Sequence, residues 1–306
     1  MTLPLGLRER ARTGVEVVPE LGASALGDMG LARRFLSCPA ALIGGAITGL
    51  LVLVALVSLV WTPFDPNAIP QNVHLLAGPS GSHLLGTDAL GRDVLSRLMA
   101  GSRVSLYAGV VAVVVASVVG VPAGLAAASL GGSASEAIMR LGDILFAFPA
   151  LLGATTLTAA LGASTTTAML AIGIASVPYF ARVARSGALA VLSSEYVLAA
   201  RAYGQSRPAI VRRHVLPNIA PLLVVQTTLL FSVAILAEAA LSYLGLGTPP
   251  PSASWGQMLE SAQATLQTDP LLALWPALAI ALAVLGFNLL GDGLSDVLDP
   301  RLRPVA

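Results

Sequence analysis

The sequence contains no lysine, so all 17 of its basic residues are arginines. A phosphate-binding P-loop needs a lysine that reaches the β- and γ-phosphates of ATP, and Schiff-base or Ser-Lys catalysis needs a lysine amine. The chain therefore cannot itself be a P-loop ATPase. We expect any ATP-driven work to be done by a partner protein.

Cysteine and charge are also scarce. Cys38 is the single cysteine, so the 306-residue chain offers no internal disulfide and no cysteine cluster for a metal or redox motif. Charged residues make up 11% of the sequence, against about 25% in soluble domains. With 56% hydrophobic residues and a mean hydropathy of +0.82, the composition predicts a polytopic membrane protein. The net charge is only +1, and the basic residues are scattered between the apolar runs, so the sequence predicts no nucleic-acid partner.

Long uncharged runs predict the transmembrane helices. Residues 39–61 exceed the ~20 residues that a helix needs to cross about 30 Å of hydrocarbon, and Trp61 ends this run at the interface. The run at 144–181 is too long for one helix, and the Gly-Ala-Ser-Thr stretch at 162–165 offers the turn that divides it. The pattern predicts six spans, at 39–61, 104–130, 136–161, 165–188, 218–245 and 270–292.

The arginines predict the orientation of these spans, because cytoplasmic loops carry an excess of positive charge. Fourteen arginines fall on one side, and three, Arg92, Arg97 and Arg103, fall on the other. Residues 1–35 are polar, with no cleavable signal peptide apparent. Six spans put both termini on the same side of the membrane, and the arginine excess places that side in the cytoplasm. The predicted order is a cytoplasmic tail at 1–38, a first transmembrane helix at 39–61, an external loop at 62–102, a five-helix core at 103–292 with a cytoplasmic hairpin at 193–217, and a cytoplasmic tail at 293–306.

The external loop contains a stretch, HLLGTDALGRDVLSRLMAGSRVSL at 83–106, whose pattern predicts an amphipathic helix capped by Thr87. Asp88 with Arg92, and Asp93 with Arg97, would form i,i+4 ion pairs on that helix. One interpretation is a helix along the outer interface with solvated charges. The other is that these four residues contact an external binding protein.

The stretch EYVLAARAYGQSRPAIVRRHVLPNIAP at 195–221 predicts a cytoplasmic hairpin of two short helices. Ser193 or Ser194 would cap the first helix, Gly204 would end it, and the second helix would lead into the fifth span. Its alanines permit close approach, and its arginines can reach carboxylates of a partner or lipid headgroups. The alternative is an ordinary basic cytoplasmic loop. The candidate docking residues are Glu195, Leu198, Ala199, Ala200, Arg201, Tyr203, Gly204, Arg207 and Pro217.

This hairpin resembles the EAA loop of bacterial ABC importer permeases, which docks in a groove of the ATPase subunit. The alanines of the motif stand at Ala199 and Ala200, its glycine at Gly204, and its closing Leu-Pro pair at 216–217. The leading glutamate of the motif is replaced by Leu198. Any ion pair made by that acid is therefore absent, and Arg201 or Glu195 would have to supply the polar anchoring.

Three further blocks, HLLGTDALGRDVLSR, ILAEAALSYLGLGTPPPSASWGQML and FNLLGDGLSDVLDPRLRP, extend the resemblance over residues 40–303. They resemble the dipeptide, oligopeptide and nickel group of these permeases, in particular the second of the two paired permeases. The resemblance implies an all-α membrane protein with six transmembrane helices and the type I ABC importer permease fold. It also implies a homologous second permease, two ABC ATPases and an extracytoplasmic binding protein in a bacterial inner membrane. ATP and Mg would be bound by the ATPases, with no cofactor on this chain.

Acidic residues near the membrane are candidates for function because charge at bilayer depth is costly. Asp143 and Asp292 fall at predicted cytoplasmic interfaces, where a solvated or helix-pairing role is favoured. Glu238 lies late in the fifth span and is either a translocation-pathway residue or the partner of Ser232 or Ser242 in a structural hydrogen bond.

Peptides are the favoured substrate for this chain. Nickel or metal chelates, oligosaccharides and glutathione-like compounds remain alternatives. No cluster of His, Met or carboxylate residues predicts a metal site. An ion-coupled secondary transporter is the main rival class. A membrane enzyme is disfavoured because no GxSxG or HExxH motif is present.

Overall fold

The computed structural model describes residues 31–70 and 75–298. Most of the predicted N-terminal tail and residues 299–306 of the predicted C-terminal tail lie outside this range. The described chain forms eleven α-helices: α1 Leu31–Ser37, α2 Pro39–Val60, α3 Val94–Leu130, α4 Gly132–Ala147, α5 Ala150–Leu161, α6 Thr165–Leu192, α7 Glu195–Ala202, α8 Arg207–Ile210, α9 Leu216–Tyr243, α10 Trp255–Ala262 and α11 Leu271–Leu298.

Five of these helical segments are long and apolar enough to cross a membrane, and a bent pair can supply a sixth span. The predicted all-α membrane fold is thus confirmed for the described residues. The bundle has two ends, which we name by their connections. The loop end carries residues 61–70, 75–93 and 244–270, and the hairpin end carries residues 193–215.

The third predicted span is not one continuous helix. Helices α4 and α5 meet at 78°, with Phe148 and Pro149 between them. Proline has no N–H to donate, and its ring disfavours the helical conformation for the preceding residue. Phe148 accordingly adopts extended backbone angles. The expectation of six continuous spans is corrected to five and one broken pair.

The predicted amphipathic helix at 83–106 is also wrong over its first half. Residues 83–93 form turns, and α3 begins only at Val94 before continuing without a break to Leu130. Gly86 and Gly91 have φ values of 83° and 77°, which a right-handed helix cannot contain. Thr87 is therefore not a helix cap.

Glycine and alanine allow the long helices to approach closely. Gly124 of α3 lies against the backbone of α6 at Ala181, and Gly293 of α11 lies against Ala41 of α2. A Cβ at either glycine would overlap the neighbouring helix. Small residues at helix contacts are the usual means by which membrane helices increase their van der Waals contact, so these glycines set the spacing of the bundle.

Candidate functional site

The hairpin forms as two short helices joined by a tight turn. Helix α7 ends in a Schellman motif, in which Gly204 N donates to Arg201 O and Gln205 N donates to Ala200 O. Gly204 has a φ of 79°, the left-handed conformation that glycine adopts without a steric penalty. Ser194 stands at the N-cap, but its hydroxyl donates to Val191 O and makes no cap bond to α7. Helix α7 thus runs from Glu195 to Ala202, without the predicted serine cap bond.

The second arm of the hairpin is continuous with the fifth span. Helix α8 passes through a π-helical turn, Val211–Val215, into α9, which gives 37 helical residues from Arg207 to Tyr243. In the wide turn Leu216 N donates to Val211 O. The helix changes its bonding pattern immediately before Pro217, which has no N–H for a standard helical bond. The second arm of the hairpin and the fifth span are therefore one continuous helix.

Polar contacts hold the hairpin on the bundle. Asn218 Nδ2 donates to His214 O at 2.6 Å, and His214 Nε2 lies 3.2 Å from Gln205 Oε1. At the other side, Arg207 Nη1 donates to Ser129 O at the end of α3. The turn of the hairpin is thus tied both to α9 and to α3.

The two alanines of the predicted docking motif have different environments. Ala200 is only 8% exposed and belongs with Val197 to the inner face of α7. Ala199 is exposed, Leu198 is 51% exposed and Tyr203 is 90% exposed. Ala200 is therefore a packing residue of the hairpin, which its sequence position did not reveal. The outer surface contains Glu195, Leu198, Ala199, Arg201, Tyr203, Gly204, Arg207 and Pro217.

This outer surface is basic and partly apolar. Residues 193–217 contain four arginines and one glutamate. No carboxylate within the described ranges lies within ion-pair distance of any of these arginines. Leu198 and Tyr203 add exposed apolar area between the charges. Such a surface is complementary to an acidic, apolar cleft on another protein.

The charged residues at the loop end form an internal network. Arg92 Nε lies 2.7 Å from Asp88 Oδ2, as the sequence predicted, but the pair closes a turn and not a helical i,i+4 contact. The predicted Asp93–Arg97 pair is not formed. Arg97 is 2% exposed, with Nε 3.7 Å from Asp88 and Nη1 donating to Pro66 O. Of the four residues predicted to contact an external protein, only Asp88 and Arg92 are partly exposed.

Asp93 fixes the start of α3. Its Oδ2 accepts from the backbone N and the hydroxyl of Ser96 at 2.8 and 2.7 Å, and its Oδ1 lies 2.9 Å from His83 Nδ1. The sequence reasoning missed both partners because it placed residues 87–93 inside a helix. The side chain therefore caps α3 and anchors the preceding loop.

We expect Asp93→Ala to lower the free energy of unfolding by about 0.5–2 kcal/mol, the usual cost of an N-cap. The loop at 75–92 should also become more sensitive to protease, because His83 loses its partner. Thermal unfolding and limited proteolysis of the detergent-purified protein measure both effects. Asp93→Asn keeps an acceptor and is the control; equal loss in both variants would contradict a capping role.

Glu238 lies inside the chain at the loop end of α9 and is 1% exposed. Its Oε1 accepts hydrogen bonds from Ser242 Oγ at 2.6 Å and Thr248 Oγ1 at 3.2 Å. Thr248 also lies 2.7 Å from Thr165 at the start of α6. The structure thus contains the predicted bond to Ser242 but not one to Ser232, which donates to Thr228 O. Glu238 joins α9, the loop after it and α6; a pathway role for Glu238 stays a prediction.

We expect Glu238→Ala to destabilise the protein by about 1–3 kcal/mol, because two buried hydroxyls lose their acceptor. Glu238→Gln retains a carbonyl oxygen at the same place and should keep most of the stability and the uptake. Thermal unfolding and uptake assays of the two variants provide the comparison. Loss of uptake in a Gln variant of normal stability would instead place the carboxylate in the pathway.

A bundle of long apolar helices, with a basic hairpin at one end that continues into a span, agrees with the membrane permease architecture that the sequence blocks implied. Residues 120–304 match the family model of the binding-protein-dependent transport system inner membrane component. The chain is 40% identical over 271 residues to the glutathione transport system permease protein GsiD of Pectobacterium atrosepticum, covering 89% of this chain and 90% of the relative. It is also 40% identical to the GsiD proteins of Escherichia coli O6:K15:H31 and Shigella sonnei, covering 89% of each chain.

The chain belongs to the family of binding-protein-dependent transport system inner membrane components. It is a permease of a bacterial inner-membrane transporter, and it is not an enzyme by itself. The resemblance inferred from the sequence blocks is confirmed.

Proposed function

We propose that this chain is one of two permease subunits of an ATP-driven importer for peptide-like substrates. The observation that carries the proposal is the hairpin, because its first arm carries an exposed basic and apolar surface and its second arm continues without a helix break into span α9. The 40% identity to glutathione transport permeases supports a substrate with peptide bonds and free termini. Dipeptides and oligopeptides are the proposed cargo, and metal chelates and oligosaccharides are the alternatives.

In this proposal the hairpin faces the cytoplasm and inserts into a cleft of an ABC ATPase. The excess of arginine at the hairpin end agrees with this orientation. Two ATPases would bind ATP and Mg, and a second, homologous permease would complete the pathway. ATP binding would move the hairpins and, through α9, open the helices toward an external binding protein. The loop end carries the surface available to that protein.

Reconstitution tests the proposal. The chain is co-expressed with the ATPase, permease and binding-protein genes that neighbour its own, and the purified complex is placed in liposomes with ATP on the side of the hairpin. We expect a four-subunit core whose ATP hydrolysis rises with the loaded binding protein and which takes up dipeptides. Uptake by this chain alone under an ion gradient would contradict the proposal. Uptake of nickel or an oligosaccharide without peptide uptake would contradict the proposed cargo.

A further inference from the structure

An ion pair lies on the exposed surface of the bundle, toward its hairpin end. Arg182 Nη2 of α6 donates to Asp143 Oδ1 of α4 at 2.6 Å, yet the two side chains are 51% and 60% exposed. The sequence predicted Asp143 at a cytoplasmic interface. Helix α4 begins at Gly132 and ends at Ala147, and Asp143 lies near its end.

The depth of the pair can be read from the helices beside it. Arg182 precedes the end of α6 at Leu192 by ten residues, about 15 Å along the axis. The adjacent backbone of Ala181 lies against Gly124 of α3, which falls within the uncharged run 104–130. The pair therefore lies toward the hairpin end of these helices, one turn from Arg140 of α4 and Arg185 of α6.

Charged side chains in membrane helices usually face a bundle interior or a water-filled cavity. Within the described residues the surface of the pair is not covered by this chain. In the proposed assembly the second permease would stand opposite the face formed by α4 and α6, and this face would be part of the inner wall of the transporter.

The surroundings of the pair are those of a binding site. Arg182 Cζ lies 4.2 Å from the centre of the Phe146 ring, and Phe146 meets Tyr179 edge to face at 4.5 Å. The Phe146 ring thus holds the guanidinium, and Tyr179 packs against that ring. The exposed pair keeps hydrogen-bonding capacity beyond its single mutual bond. One acid and one base are thus fixed side by side on an open surface.

An apolar cavity of about 230 Å³ opens beside the guanidinium. It is lined by Met139, Leu141, Leu145, Val177, Pro178 and Ala181. A peptide with free ends carries an ammonium, a carboxylate and a side chain within a short distance of each other. The charges of the pair and the apolar cavity match those three groups.

We infer that Asp143 and Arg182 line the translocation pathway and bind the ammonium and carboxylate groups of a peptide in transit, while the cavity accepts an apolar side chain. This inference rests on the proposed function, which supplies the peptide and the second permease. It adds the residues that recognise the cargo, none of which belongs to the hairpin. Recognition by a matched pair favours zwitterionic cargo over a peptide with a blocked end.

The first test is chemical accessibility in the assembled complex in lipid. In a Cys38→Ala background, Asp143→Cys and Arg182→Cys are exposed to a water-soluble thiol reagent with and without a free dipeptide. We expect both introduced cysteines to react, and the dipeptide to slow the reaction. Leu141→Cys, a residue of the cavity wall on α4, should be protected most by peptides with large apolar side chains. Absence of labelling at both 143 and 182 would overturn the inference, whatever the cargo.

The second test separates recognition from structure by uptake measurements. Asp143→Asn and Arg182→Gln should each lower uptake of a free dipeptide at least tenfold. Asp143→Asn should have a much smaller effect on an N-acetylated peptide, which lacks the ammonium, and Arg182→Gln on an amidated peptide, which lacks the carboxylate. An equal loss of uptake for free and blocked peptides would show a structural ion pair and overturn the inference.

A second ion pair provides the matched control. Arg140 and Glu136 form an i,i+4 pair on the same helix, nearer the hairpin end and largely exposed. Glu136→Gln should leave uptake of every peptide unchanged, with equal amounts of each variant in the membrane. If the wild-type complex takes up no peptide while the Asp143→Cys and Arg182→Cys variants are labelled, the proposed cargo fails and the pathway position of the pair stands.

Discussion

Ala199→Arg should abolish substrate uptake while leaving the amount of protein in the membrane unchanged. Ala199 is exposed on α7, between Leu198 and the buried Ala200. Arginine has a helix propensity close to that of alanine, so the new side chain leaves the hairpin folded. A long charged side chain at this position would keep the hairpin out of a close-fitting cleft. We expect a loss of at least tenfold in uptake, and ATP hydrolysis that no longer responds to the loaded binding protein.

The neighbouring residue distinguishes docking from folding. Ala200→Arg would place a guanidinium in the inner face of α7, where Val197, Ile210 and Ile219 are buried. An unpaired buried charge is strongly destabilising, so this variant should accumulate poorly. Membrane abundance, ATPase co-purification and uptake are measured for both variants, with Ala199→Ser as the conservative control. Normal transport by Ala199→Arg would show that this face of α7 does not enter the cleft.

Gly124→Ala should reduce the amount of folded protein, although alanine is the better helix former. A Cβ at Gly124 would overlap the carbonyl oxygen of Ala181 and the Cβ of Ala184. These atoms belong to the backbone and to a methyl group, so no flexible side chain can move aside. Overpacking at such a contact costs about 1–3 kcal/mol. At Gly124 the overlap would push α3 away from α6.

Gly49→Ala is the matched control for this experiment. Gly49 also lies inside a long helix, α2, but no atom lies within 4 Å of the position of its Cβ. The same substitution there should be neutral or stabilising, because alanine is favoured over glycine in a helix by about 1 kcal/mol. Thermal unfolding in detergent and membrane abundance are compared for the two variants. Equal behaviour would contradict a spacing role for Gly124.

Both predictions concern places where a small residue allows close approach, but only the second could have been made without knowing the partner. The contact at Gly124 is complete within this chain. The contact at Ala199 is completed by another protein in our proposal. Together the variants separate the assembly of the bundle from the coupling of the transporter.

The positions of the long helices followed from the sequence because burial in hydrocarbon requires long uncharged runs. Helix α2, Pro39–Val60, and α11, Leu271–Leu298, begin within one residue of the predicted 39–61 and 270–292. The turn at Gly162 and the end of α7 at Gly204 were likewise predictable, because glycine is the residue that most readily adopts the positive φ found at both positions. In these cases one local property decides the structure.

The sequence reasoning failed where two local preferences competed. At 83–93 the i,i+4 spacing of acids and arginines favoured a helix, but Gly86 and Gly91 required a turn conformation. Between α4 and α5 the uncharged run favoured one span, but Pro149 ended the helix. Pro149 was the available indication for the break, and the pair of glycines was the indication for the turn.

The sequence by itself determined the membrane class, the number of apolar segments, the hairpin boundaries and the family of this permease. Each of these depends on composition or on neighbours along the chain. The tertiary structure alone decided that Ala200 is buried beside an exposed Ala199, that Arg97 turns inward to Asp88, and that Asp143 of α4 meets Arg182 of α6. These facts depend on how helices and loops pack against each other, and packing brings together side chains that the local sequence pattern does not.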